Sequence, residues 1–93
     1  VGIADSSYGY AGMGSYGSIF YNDFWKYDPI LNTWAQKTNF GGNARERLTR
    51  FYLNGRLYFG LGDDATSLYN DFWEYDPSSD LWTKKGNFRY SFY

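Results

Sequence analysis

The chain contains no cysteine and no histidine among its 93 residues. Without cysteine there is neither a disulfide framework nor a thiolate nucleophile, and without histidine the usual general base and commonest metal ligand are missing. The net charge of −1 offers no basic field to nucleic acid or to an anionic membrane. No apolar run approaches the ~20 residues of a transmembrane helix. We therefore expect no cofactor, no catalytic metal, no nucleic-acid partner and no membrane insertion.

Aromatic residues are abundant instead, at 25% of the chain, with 11 tyrosines, eight phenylalanines and four tryptophans. Bulky rings fit a pleated, half-buried surface and are enriched in strands. The 11 glycines between them indicate many turns. Disordered chains are poor in aromatics. The composition predicts an ordered, all-β protein.

The chain repeats itself. Residues 21–40 read YNDFWKYDPILNTWAQKTNF and residues 69–88 read YNDFWEYDPSSDLWTKKGNF, with 12 of 20 positions identical at an offset of 48. A fixed period of this length is typical of repeat architectures. We predict a first unit at 1–40, a connecting loop at 41–48 and a second unit at 49–88. The tail at 89–93 would begin a further unit as its inner strand.

Each unit contains four predicted strands. The Asn54-Gly55 pair is a strong hairpin turn, and Asp76-Pro77 begins a second turn. Four antiparallel strands in a repeat of ~40–50 residues describe one blade of a β-propeller. The predicted strands are residues 1–4, 8–13, 21–27, 33–37, 49–53, 56–61, 71–75 and 81–84.

The repeated residues resemble the kelch repeat, in which an aromatic residue precedes a glycine pair, followed by a Tyr-Asp-Pro turn and an outer-strand tryptophan. The matching positions are Tyr10, Gly12, Gly14, Tyr27, Asp28, Pro29 and Trp34, and again Tyr58, Gly60, Gly62, Tyr75, Asp76, Pro77 and Trp82. One departure is that Met13 and Leu61 separate the glycines. The Asn-Asp-Phe-Trp lead-in is similar to kelch-type repeats of bacterial secreted or surface proteins. The resemblance implies a kelch-type β-propeller of about two blades, with the first strand of each blade lining the channel, in an extracellular or cell-surface location.

Residues that recur at the same place in every blade usually build the blade. We therefore expect Trp34 and Trp82 to pack between blades rather than stack on a ligand. The repeated glycines should supply unusual backbone angles where the second strand ends. Asp23 and Asp71 should form turn or inter-blade hydrogen bonds rather than an acid–base pair.

Binding positions are sought where the copies differ. The loops at 15–20, 41–47 and 63–68 share one face, and arginine and tyrosine are enriched at interface hot spots. Ordinary solvated loops are the equally weighted alternative. Replacing Arg45 and Arg47 by alanine should weaken binding of a partner and leave the melting temperature nearly unchanged. The candidate binding residues are Tyr16, Arg45, Glu46, Arg47, Asp63 and Asp64.

Three classes of function fit such a chain. The first is a non-catalytic scaffold for protein interaction or assembly, and the second is a carbohydrate-binding propeller. The third is a propeller enzyme. A copper-radical oxidase site needs cysteine and histidine, which are absent, and a glycosidase-like site would need a tyrosine nucleophile with a carboxylate and arginines. We predict that the chain is not an enzyme and has no catalytic residues.

Assembly follows from the size of the unit. A blade contacts only its neighbours, and three or more repeats are usually needed for stability. Two blades alone would expose aromatic faces, with Trp25, Trp34, Trp73 and Trp82 among the exposed rings. We expect copies of the chain to close a ring head-to-tail, a trimer of six blades being favoured, or further blades to be joined covalently.

Overall fold

A computed structural model describes residues 1–88, and the predicted inner strand at 89–93 lies outside the described residues. Within the described part the chain forms eight strands, and each of the eight predicted strands is present. Their bounds in chain order are β1 (Gly2–Ala4), β2 (Gly9–Tyr16), β3 (Ile19–Asp28), β4 (Thr33–Lys37), β5 (Thr49–Leu53), β6 (Arg56–Gly60), β7 (Asp71–Asp76) and β8 (Leu81–Asn87).

The strands form two four-stranded antiparallel sheets, ordered β1-β2-β3-β4 and β5-β6-β7-β8. Each sheet is an antiparallel meander, so every strand pairs with its neighbour in the chain. The protein is therefore all-β, with two propeller-like blades, as the repeat predicts. No helix long and apolar enough to cross a membrane occurs between residues 1 and 88.

Short polar turns explain why the meander forms. Asn54 and Gly55 have φ values of 50° and 80°, which a tight hairpin turn between β5 and β6 requires. At the turn between β3 and β4, the Asp28 carboxylate accepts the Ile30 backbone N–H at 2.9 Å. At the corresponding turn between β7 and β8, Asp76 accepts the backbone N–H of Ser78 at 2.9 Å. These Asx turns are encoded locally, because the aspartate caps its own backbone two residues on.

The connection between the second and third strands differs between the copies. Residues 15–20, expected as a loop, instead prolong β2 and β3 into a hairpin that pairs Tyr16 with Ile19. In the second copy β6 stops at Gly60, and residues 63–68 form an irregular loop. The expectation that residues 15–20 form a loop is wrong, because a two-residue turn at 17–18 lets the strand ladder in the first copy continue.

The end of the second strand is crowded in both copies. A Cβ atom on Gly12 would lie 2.1 Å from the Asp23 carbonyl oxygen, and one on Gly62 would lie 2.5 Å from that of Glu46. Met13 and Leu61, the residues between the motif glycines, both have positive φ and buried side chains. Close backbone approach therefore requires glycine at Gly12 and Gly62. The unusual backbone angles that the sequence predicts are present at Gly14 and Gly62, with φ values of 112° and 86°, whereas Gly60 has no positive φ.

An aromatic core lies between the two sheets. The buried rings of Tyr10 and Phe24 from the first sheet meet Phe59 and Tyr75 from the second. Trp82 completes this inter-blade core, with its ring centroid 5.1 Å from Phe24 and 4.8 Å from Tyr75. The packing role predicted for Trp82 is confirmed.

Candidate functional site

The loop at 41–48 connects the two sheets across one of their ends. Glu46 and Asp63 exchange two backbone hydrogen bonds of 2.8 and 3.0 Å, which attach the loop to the second blade. The Gly14 N–H donates to the Arg45 carbonyl at 3.0 Å and attaches the loop to the first blade. The loop face, defined here as residues 41–48, 63–68 and the turn between β2 and β3, is therefore held by backbone contacts.

Arg45 is 0% exposed and lies beneath this face. Its guanidinium forms a two-pronged ion pair with the Asp71 carboxylate, at 2.5 and 2.9 Å. It also donates to the carbonyls of Asn43 and Leu61, and it lies 3.9 Å from the centroid of the Tyr69 ring. The guanidinium makes four hydrogen bonds within the chain and has no exposed surface, so the interpretation of Arg45 as a solvent-facing binding residue is wrong.

The Asp71 carboxylate accepts hydrogen bonds from two neighbouring side chains. Beside the ion pair with Arg45, its carboxylate accepts the indole N–H of Trp73 at 2.8 Å. Burial by itself raises the pKa of Asp71, but the hydrogen bonds from Arg45 and Trp73 outweigh it and keep the pKa below its usual range. In the first copy Asp23 accepts the Trp25 indole N–H at 2.8 Å. Asp71 therefore binds the loop between the blades, as predicted, whereas the hydrogen bond of Asp23 lies within β3 and is neither in a turn nor between blades.

The charged candidates on the loop face are bound by neighbouring groups of the same chain. Arg47 donates twice to Asp63, at 2.8 and 2.5 Å, and this contact lowers the pKa of Asp63. Ser15 donates to the Glu46 carboxylate. Asp64 accepts the Tyr69 hydroxyl and the backbone N–H of Thr66, which lower the pKa of Asp64 to about 2. The fold therefore brings Glu46, Arg47, Asp63 and Asp64 together, mainly as a network that braces the loops.

Two candidate side chains on the loop face remain open to solvent. The Tyr16 ring is 80% exposed at the tip of the β2–β3 hairpin, and the Arg47 side chain is 52% exposed beside its ion pair. The described residues contain no group of three or more carboxylates that could hold a metal ion. Among the candidate residues, the exposed groups at this face are the Tyr16 ring and the Arg47 guanidinium, which is paired with Asp63.

The outer side of the first sheet is a second candidate surface. Its rings include Trp25, Tyr27 and Trp34, which point away from the inter-blade core and define the first outward face. Trp34 is 55% exposed and stacks on Tyr27 at 5.0 Å between centroids. Trp34 does not pack between the two blades of this chain, because it pairs with Tyr27 and alternation along β3 places Tyr27 on the side opposite to Phe24. Its exposure agrees with the expectation for two blades alone.

The outer side of the second sheet is more strongly aromatic. Phe51, Tyr58 and Phe72 stack on one another across three strands, with centroids 5.0 to 5.9 Å apart, and define the second outward face. Beside them is an almost entirely apolar groove of about 520 Å³, lined by Phe51, Phe72, Leu61 and the backbone of Gly86. Sequence reasoning missed this groove, although the alternation of rings along β7 could have assigned Phe72 to this face.

The four tryptophans are not equally exposed, contrary to expectation. Trp82 and Trp73 are half-buried against the inter-blade core, and Trp25 is half-buried as well. Only Trp34 among the four is an exposed ring. Alternation groups the rings on the two faces of a sheet, but the sequence does not show which of these faces another blade covers, so the four tryptophans could not be distinguished.

Comparison with known proteins supports the fold and nothing finer. No family model and no curated protein matches the chain. The chain is similar to the solved structure of YjhT, with a TM-score of 0.69 and 28% sequence identity. The match covers 89% of this chain and 25% of that one, so this chain spans a quarter of the length of YjhT in that structure.

Proposed function

We propose that this chain is a kelch-type β-propeller segment that serves as a non-catalytic scaffold for protein assembly, at the cell surface or outside the cell. The observation that carries the proposal is the pair of outward faces. Each displays aromatic rings of the kind that the inter-blade core buries, and Trp34 is 55% exposed. Exposed rings grouped on a regular sheet favour contact with another protein surface, because burying them is the main favourable term in association.

The engagement of the polar groups supports a scaffold over an enzyme. The carboxylates of the loop face are taken up by Arg47, by turns and by Tyr69. The buried pair of Arg45 and Asp71 lies between the loop and the second sheet. A catalytic carboxylate would need to reach a substrate, and these carboxylates are bound to side chains and turn backbone of the same chain instead.

Carbohydrate binding is the second candidate. It is favoured by the exposed Tyr16 ring on the loop face, because a flat ring with a hydroxyl can stack on a sugar and donate to it. Such a site would lie on a different surface from the outward faces, so the two candidates can be separated by experiment.

The first experiment measures the mass of the chain in solution by light scattering over a hundredfold range of concentration. We expect species larger than the 10.9 kDa chain. A monodisperse species of 10.9 kDa that unfolds cooperatively would contradict the assembly proposal. A glycan array run in parallel tests the second candidate, with Tyr16→Ala as the variant that should lose binding and Thr66→Ala as its control.

A further inference from the structure

We infer that the groove on the second outward face receives Trp34 from a second copy of this chain, so that copies associate head-to-tail. The inference rests on the proposed assembly function and adds the partner and the contact. Trp34 would occupy the position in the groove that Trp82 occupies within the chain. Each copy therefore offers one tryptophan and one groove, on opposite sides.

The internal contact shows what such a docking needs. Trp82 packs edge-on against Phe24 and Phe40 of the first blade, at 5.1 and 5.2 Å between centroids. Its indole N–H donates to the Thr38 carbonyl at 2.9 Å. At the repeat offset of 48, the residues corresponding to Phe24, Thr38 and Phe40 are Phe72, Gly86 and Phe88. Phe72, Gly86 and Phe88 all line the groove on the second outward face.

The inserting side is already arranged for this contact. Trp34 lies 5.0 Å from the Tyr27 ring, as Trp82 lies 4.8 Å from Tyr75. The Tyr27 hydroxyl donates to Asn32 at 2.7 Å, and the Tyr75 hydroxyl donates to Asp80 at the same distance. The two tyrosine–tryptophan pairs therefore have the same geometry, although only the second is covered.

The receiving side is likewise arranged. Tyr58 and Phe72 stack at 5.9 Å with 9° between ring planes, and Tyr10 and Phe24 stack at 5.6 Å with 10°. In the first blade this stacked pair forms the floor on which the second blade packs. The same stacked pair is present on the second blade, where Phe51 packs against both rings. Phe72 lines the groove of about 520 Å³, which has room for an indole.

The two outward faces also differ in side-chain size from the two faces that pack against each other inside the chain. The first outward face has Gly9 and Ala11 where the buried face of the second sheet has Leu57 and Phe59. The second outward face has the larger Phe51 where the first blade has Ile3. The larger Phe51 ring on the receiving face offsets only part of the volume that Gly9 and Ala11 leave on the inserting face. The inserting pair of Tyr27 and Trp34 and the receiving face around Phe72 both belong to this chain and repeat the contact made inside it, which favours a copy of the chain over an unrelated partner.

The test uses one variant for each half of the contact. Trp34→Ser removes the inserting ring, which is exposed and supports little of its own blade. Thr49→Arg places a long charged side chain into the groove from an exposed position on β5. We expect each variant alone to weaken self-association by roughly 30-fold, as loss of a hot spot does. Ser18→Arg, in the exposed β2–β3 turn, is the matched control and should associate as the parent does.

A mixture of the two variants tests whether the contact between copies is head-to-tail. Trp34→Ser keeps an intact groove and Thr49→Arg keeps an intact tryptophan, so a head-to-tail contact predicts a 1:1 complex of about twice the 10.9 kDa chain mass and nothing larger. Failure of the mixture to form this complex, with each variant folded by circular dichroism, would overturn the inference. An associating parent chain whose mass is unaffected by either substitution would also overturn it and leave the assembly function standing. A monomeric parent would refute the assembly function itself.

The remaining candidate to fill the groove is the segment 89–93 of the chain itself. A shortened chain that ends at Phe88 tests this alternative. We expect this shortened chain to associate as the parent does and to stay sensitive to Trp34→Ser. Loss of association on shortening, with no effect of Trp34→Ser in the full chain, would assign the groove to the tail and overturn the inference.

Discussion

Replacing Arg45 by alanine is expected to destabilise the protein strongly, because it leaves the Asp71 carboxylate buried without its partner. The guanidinium is 0% exposed and Asp71 only 16%. The change removes both prongs of the ion pair, at 2.5 and 2.9 Å, and both hydrogen bonds to backbone carbonyls. It also empties the space over the Tyr69 ring.

Breaking a buried pair by removing one partner costs about 3–5 kcal/mol. Solvent does not screen this pair appreciably, so the full range applies. Small domains are stable by only about 5–15 kcal/mol, and a two-blade unit has a small core. Arg45→Ala should therefore remove much of the stability, which reverses the expectation from sequence that alanine at Arg45 leaves the melting temperature nearly unchanged.

Urea unfolding followed by tryptophan fluorescence measures this change, at one fixed protein concentration because association also stabilises. Arg47→Ala is the matched control, since Arg47 is half-exposed in its pair with Asp63 and should contribute little. The double variant Arg45→Ala with Asp71→Ala should lose less than the sum of the single variants. A midpoint shift for Arg45→Ala no larger than that for Arg47→Ala would refute the reasoning.

Three further outcomes are expected. Stability should fall as the pH drops from about 4 towards 2, because the pKa of Asp64 is lowered from 3.8 to about 2 in the folded chain. The contribution of Asp64 to stability is complete above the pKa of the unfolded chain and is lost as the pH falls through the folded pKa. An acid titration followed by circular dichroism measures this change, and a flat profile would contradict it. Gly12→Ala should prevent normal folding because the new Cβ would lie 2.1 Å from the Asp23 carbonyl, whereas Gly17→Ala meets no atom within 4 Å and should be milder in the same assay. Trp82→Ala should cost about 3–5 kcal/mol in urea unfolding, and an equal loss for Trp34→Ala in dilute protein would disprove the assignment of the two faces.

The repeat and the strands could be read from the sequence because their causes are local. The Asn54-Gly55 turn and the Asp76 Asx turn involve residues at most three apart. The strands between them are defined by alternating rings and by glycines. The sequence also indicated that the motif glycines serve the backbone conformation, although the atoms that crowd Gly12 belong to a different strand.

The site could not be read in the same way. Arg45 is an arginine in a variable loop, and such residues are usually exposed. Its burial depends on Asp71, which lies 26 residues further along the chain and reaches it only when the second sheet folds under the loop. The sequence predicted that the loops converge on one face, and they do, but it could not show that their charges are paired within the chain.

The sequence by itself determined the blade, because the hydrogen-bonding turns and the alternation of side chains are properties of a single strand pair. Tertiary structure alone decided which side of each blade is covered. Trp34 and Trp82 have the same sequence context, yet Trp82 is packed in the core and Trp34 is 55% exposed. The physical reason is that a face is buried only where another blade packs against it. The second blade packs against the first on one side only, and the repeat pattern does not specify that side.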